Sequence, residues 1–282
     1  MKLVRFGPPG MERPAILDGD GQIRDLSGHV ADLSGETLTD EGLAKLRALN
    51  VTSLPVIDRP VRLGPCVPRP CNFIGVGKNY AKHAAETGSE PPKEPLLFNK
   101  SPGSTAGPND VLILPPGSRK SDWEAELAIV IGAPARFVTQ AEAFHHVAGY
   151  CVCTDVSERE HQLESTGQYV KGKSHDGFGP IGPWLVTRDD VPDPQSLHVF
   201  TDLNGSRMQD GNTHDMIFGV SQLISYISRF MTLQTGDVIA TGTPDGVGLG
   251  QNPQRFLKDG DHIEIGVEKL GVQSYDVAQP SA

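Results

Sequence analysis

The chain has 282 residues, with 25 Lys and Arg against 35 Asp and Glu, a net charge of −10. It has no basic stripe able to neutralise a phosphate backbone, so nucleic acid is excluded as the expected partner. The first residues lack an apolar signal core and no run is long enough to cross a bilayer, so a cytoplasmic protein without a membrane partner is expected.

At this length a chain can bury its own core without disulfides. The 32 glycines and 23 prolines predict many turns and short strands. Residues 1–65 read as a small leading domain. Lys2–Phe6 and residues 15–18 are predicted strands, with a turn at 19–21 before a strand over 22–26. Leu43, Leu46 and Leu49 have helical spacing within 39–49. Prolines at 55, 60, 65, 68 and 70 mark the expected boundary with a second domain, 66–282.

Beyond that boundary, residues 73–76 and 124–131 are predicted strands. Thr139 with Glu142, and Ser157 with Glu160, have capping-box spacing and predict short helices. Asn204-Gly205 predicts a tight hairpin between strands over 198–203 and 206–209. Val220, Leu223, Ile224, Ile227 and Met231 predict an amphipathic helix, and 237–240 and 263–267 are late strands. The fold class is therefore α+β and mostly β. Cys66, Cys71, Cys151 and Cys153 form no CxxC pair and are expected to be small buried residues.

The first chemical signal is DWEAELAIVIG, residues 122–132. In a strand Glu124 and Glu126 share a face, roughly 7 Å apart at the backbone, while Ala125, Leu127 and Ile129 take the other. Neighbouring carboxylates repel unless a cation or proton intervenes. Asp155, after the apolar run 150–154, is a third candidate, and an all-oxygen set suits Mg2+, Mn2+ or Ca2+ better than Zn2+. Spacing alone leaves a solvated strand face open as the alternative.

Five segments occur in order: GVGKNYAKHAAETG (75–88), DWEAELAIVIG (122–132), TDVSEREHQ (154–162), KGKSHDGFGPIGPW (171–184) and GDVIATGTPDGVG (236–248). Together they resemble the C-terminal domain of the fumarylacetoacetate hydrolase family, over about residues 70–270. The leading unit and residues 168–184 are most similar to the bacterial branch that includes 2,4-diketo-3-deoxy-L-fuconate hydrolase, whose members are often called ureidoglycolate lyase-like. His175 and Gly177 depart from residues common in the family. The resemblance implies a rolled β-sheet domain, a homodimer, and a divalent metal on Glu124, Glu126 and Asp155. It also implies a catalytic His83–Glu86 pair and an active-site Lys173 that stabilises an enolate, with Lys171 an exposed neighbour. Arg159, Gln162 and Thr243 are implied to bind substrate, and Tyr80, Lys100 and Gln209 are further candidates for the pocket wall.

The expected reaction is hydrolysis of a 2,4-dioxo acid to pyruvate and a carboxylic acid with Mg2+ or Mn2+. Oxaloacetate decarboxylation and other lyase or isomerase chemistry of 2-oxo acids use the same parts. A catalytically inactive metal-binding relative is the non-enzymatic alternative.

Overall fold

The segment that carries the acidic motif forms the strand Ala125–Ile131, apolar at every position but Glu126. A strand so composed has no solvent face and must be covered on both sides. The computed structural model, which describes residues 1–58, 60–164 and 166–280, shows both covers. Ala125–Ile131 lies inside a ten-stranded mixed sheet, between Val147–Thr154 and Val238–Ala240. Leu127, Ile129 and Ile131 pack on one face against Val199, Leu203, Ile263 and Ile265 of a second, five-stranded sheet and against the helix Val220–Ile227. Ala128 and Val130 on the other face lie under Leu26, Leu33 and Leu38, with Leu43 and Leu46 of the helix Asp40–Arg47. The expectation of one apolar and one polar face is therefore corrected: the whole strand is buried.

The leading strands join the main sheet. Lys2–Phe6 pairs antiparallel with Gly179–Thr187, placing Leu3 opposite Leu185, and Arg13–Leu17 and Ile23–Asp25 extend the same sheet outward. The proline-rich stretch runs along this sheet: Gly7 N donates to Arg62 O at 3.0 Å and Cys66 N to Ile181 O at 3.3 Å. The reason is the unmet hydrogen-bonding edge of Gly179–Thr187, which these strands satisfy.

Two local expectations also change. Ser157 does not cap a helix. Its hydroxyl donates back to Asp155 O at 3.0 Å, and Ser157–Glu158 pairs with Ser121–Asp122, so the helical turn begins only at Glu160–Glu164. Thr139 and Glu142 do bond to each other, but only a short 3-10 turn, Ala143–His146, follows. The hairpin at Asn204-Gly205 forms with both residues at positive φ, 51° and 74°. Cys71 is exposed, whereas the other three cysteines are buried.

The two sheets are tied together beneath the site by Gln273. Its fully buried amide donates to Val152 O and Pro180 O, both at 3.0 Å, and accepts from Thr154 Oγ1 at 2.7 Å. Replacing it by Leu strands a buried hydroxyl and two carbonyls. We expect Gln273→Leu to lower the urea midpoint by the equivalent of about 1–3 kcal/mol, with the slope of the transition unchanged.

Candidate active site

Strand register builds the acidic cluster. Thr154 stands opposite Ala125 and Cys153 opposite Glu126. The next residue, Asp155, therefore falls beside Glu124, where its N–H donates to Glu124 O at 3.0 Å. Glu124, Glu126 and Asp155 bring carboxylate oxygens within 4.8 Å of one another, and all three side chains are buried. The run 241–243 descends along the same strand. Thr241 N donates to Leu127 O, Gly242 N to Glu126 Oε2 at 2.8 Å, and Thr243 Oγ1 to Ala125 O at 2.9 Å. Gly242 is at φ 100°, and a Cβ there would lie 2.6 Å from Asn79 Cβ. Only glycine lets the loop approach this closely.

Three buried cations answer the acids. Lys173 Nζ bridges Glu124 Oε2 at 2.7 Å and Asp155 Oδ2 at 2.6 Å. Lys100 Nζ donates to Asp155 Oδ1 and to the carbonyl of Lys173, each at 2.6 Å. Arg159 contacts Glu124 Oε1 at 2.8 Å and Asp122 Oδ2 at 2.7 Å. Burial pushes the Glu124 carboxyl up, but Lys173, Arg159 and His83 outweigh it and hold the group below the usual range. Glu126 has no ion-pair partner among the described residues. Burial, with Asp155 and Glu124 close by, raises its pKa well above the ordinary value. Burial opposes the charge on Arg159, yet Asp122 and Glu124 more than restore it.

Glu124 and Glu126 line a cavity of about 160 Å3 that is also lined by His83, Arg159, Gln162, Lys173 and Thr243. That is on the order of the space that holds one small ring or a short-chain acid. His83 Nδ1 lies 2.8 Å from Glu86 Oε1, three residues on in the helix Ala81–Glu86. Glu86 Oε2 in turn accepts from Gly246 N at 2.8 Å. A carboxylate accepts only, so this contact assigns the proton to Nδ1 and leaves Nε2 as the basic nitrogen. Arg159 Nη2 is buried without a well-directed hydrogen bond, despite its 2.7 Å approach to Asp122. The guanidinium as a whole forms part of the cavity wall.

A model of the fumarylacetoacetate (FAA) hydrolase C-terminal domain matches residues 72–278. The chain belongs to the fumarylacetoacetate hydrolase family. A Burkholderia multivorans protein, for which only the general class of hydrolase is named, is 58% identical over 97% of both chains. A fumarylacetoacetate hydrolase from Exiguobacterium antarcticum is 37% identical, with a TM-score of 0.85 over 99% of this chain and 100% of that one. A maleylpyruvate hydrolase from Sphingobium sp. SYK-6, solved with manganese(II) and pyruvate, is 32% identical, with a TM-score of 0.82 and full coverage of both chains.

In this family member the donor set itself fits a hard divalent cation: three buried carboxylates, one of them without a cationic partner. The solvated alternative for Glu124 and Glu126 fails on burial, since they are only 4% and 2% exposed.

Of the other sequence candidates, Lys100, Tyr80 and Gln209 do not line the cavity. Lys100 lies behind Asp155. Gln209 uses its amide fully on Ala125 N, Thr201, Thr243 and Pro244 O, which makes it a brace for the acidic strand. Tyr80 is buried and its hydroxyl has no partner among the described residues. Thr243 lines the cavity, but its one hydroxyl proton is committed to Ala125 O, so toward a ligand it can only accept. Arg159 and Gln162 do meet, at 3.1 Å, although the helix expected to align them is a single wide turn. Lys171 is exposed and bonds to Thr166.

Asp122 was missed. It accepts from Arg159 Nε, Gly248 N and Leu249 N, fixing the arginine to the loop over the cavity. The signal was present, because residues 122, 124 and 126 share one alternation.

Two measurements test the metal assignment. Burial beside Asp155 and Glu124 favours the protonated form of Glu126, and a cation needs its carboxylate, so Mn2+ binding should release protons and tighten as pH rises. Titration calorimetry in two buffers of different ionisation heat reads this directly. Lys100→Met, which frees Asp155 to rotate, should weaken Mn2+ binding roughly 10- to 100-fold.

Proposed function

We propose that the chain is a divalent-metal-dependent hydrolase that cleaves the C3–C4 bond of a 2,4-dioxo acid, giving pyruvate and a carboxylic acid. The observation that carries this reading is that His83, paired with Glu86, lines the same cavity as Glu124 and Glu126, whose carboxylates cluster with that of Asp155. A base next to a hard-cation site suits hydrolysis at a carbonyl. Decarboxylation of oxaloacetate requires no attacking water and gives such a base no task.

Glu124, Glu126 and Asp155 would hold Mg2+ or Mn2+, which supplies Lewis-acid polarisation of a 2-oxo acid and neutralises charge that develops on it. Arg159, whose guanidinium lines the cavity, would bind the substrate's C1 carboxylate. His83 Nε2 takes a proton from water as the water oxygen adds to C4. Glu86, fixed by Gly246 N, steadies the imidazolium that results. The C3–C4 bond then breaks, its electron pair passing into the C2–C3 enolate. Lys173 has two protons engaged by Glu124 and Asp155 and a third left for that charge. Protonation at C3 completes pyruvate, and the acyl fragment leaves as a carboxylic acid.

The Sphingobium maleylpyruvate hydrolase, in complex with manganese(II) and pyruvate, supports this chemistry by likeness. A homodimer and a cytoplasmic location are part of the same proposal.

The test is pyruvate release from acylpyruvates with Mn2+ and with chelator. Wild-type protein should release pyruvate only with metal, and His83→Ala should lose roughly 10^2- to 10^4-fold in kcat. A His83→Ala variant that still turns over at near the wild-type rate would point to decarboxylation or another reaction without a water nucleophile.

A further inference from the structure

Within the cavity wall stands a cation with no acidic partner among the described residues. Lys78 and Ser89 both line the cavity, and Lys78 Nζ donates to Ser89 Oγ at 2.8 Å. That is its one hydrogen bond among the described residues, and no carboxylate there comes within ion-pair distance of it. The other lysine in this wall, Lys173, is bonded to two carboxylates. A half-buried ammonium left with one neutral partner is set up for an anion from outside.

The backbone holds Lys78 in place at some cost. It sits at φ 56°, the left-handed region that a lysine avoids. The next residue enforces the turn. Asn79 is fully buried and bonds through its side chain to Phe218 O, Thr241 O and Phe218 N, while its carbonyl accepts from Ile217 N. Ser89 is fixed just as firmly. Gly88 at φ 70° ends the His83 helix, with Gly88 N donating to Ala85 O and Ser89 N to Ala84 O. The turn and the helix end that carry this pair are both held by hydrogen bonds, and they flank His83.

Direction along the substrate follows from the proposed reaction, on which this step rests. The C1 end belongs with Arg159 and the carboxylate triad, and C4 must lie at His83. The acyl arm beyond C4 then runs along the wall formed by the residues around His83, which include Lys78, Thr87 and Ser89. We propose that Lys78, braced by Ser89, is the specificity residue for that arm, and that it selects 2,4-dioxo acids bearing a second carboxylate there.

The experiment has a turnover arm and a binding arm. In the first, kcat/KM is compared for 2,4-dioxopentanoate and for a 2,4-dioxo diacid of similar length. Wild type should favour the diacid at least about tenfold, chiefly through KM, and Lys78→Met should collapse that ratio while Lys78→Arg keeps most of it. In the second, Mn2+-loaded protein is titrated with 2-oxohexanedioate and with 2-oxohexanoate, which lack the C4 carbonyl and cannot be cleaved this way. The diacid should bind at least about tenfold tighter to wild type, and the two should bind alike to Lys78→Met. Equal binding of both ligands by wild type overturns the assignment, as does an equal loss for both on substitution. If the binding preference stands but no dioxo acid yields pyruvate, Lys78 keeps its role and the hydrolytic reaction is what fails.

Discussion

Four carboxylates buried within one small volume are the constraint around which this molecule is arranged. Asp122, Glu124, Glu126 and Asp155 are each almost free of solvent, and three cations, Lys100, Lys173 and Arg159, are buried among them. Buried charge is tolerated only when paired and hydrogen-bonded. The cations satisfy three of the acids and leave Glu126 with a single backbone donor, Gly242 N. That imbalance gives the site its chemistry. It is held because the strand beneath it is covered on both faces, so the acids cannot turn toward water.

A shared set of contacts joins base and ligand-binding groups. The loop over 244–250 is a common anchor: Gly246 N fixes Glu86 and thereby His83, while Gly248 N and Leu249 N fix Asp122 and thereby Arg159. The distance between the proposed base and the arginine is set by one short stretch of backbone. Close approach is needed throughout. A Cβ on Gly250 would lie 2.4 Å from Glu86 Oε2, and one on Gly172 would lie 2.4 Å from Glu158 O. The glycines beside the site therefore serve packing between segments that carry the functional groups.

Lys100 shows how a residue can matter to a site it does not enter. Its ammonium holds both Asp155 and the carbonyl of Lys173, so one buried lysine sets the orientation of a proposed metal ligand and of the lysine beside it. Gln209 does the same for the acidic strand and Thr243. Both residues act from behind the wall, through groups that face the cavity.

The sequence alone determined the chemistry carried by short-range spacing. The alternation of Glu124 and Glu126, the three-residue step from His83 to Glu86, the Asn204-Gly205 hairpin and the apolar face of Val220–Ile227 are all set by local geometry, and all appear in the structure. The family was equally legible, because five ordered motifs survive reading as a string. Only the tertiary structure decided that the leading strands belong to the main sheet, that Ser157 pairs in a strand instead of capping a helix, and that Lys100 and Gln209 stand behind the cavity. Each of these depends on a partner far away along the chain: Leu185 for Leu3, Asp122 for Ser157, Asp155 for Lys100. Pairings of that kind are fixed by which edges and charges remain unsatisfied once the chain has collapsed, and no local pattern records them.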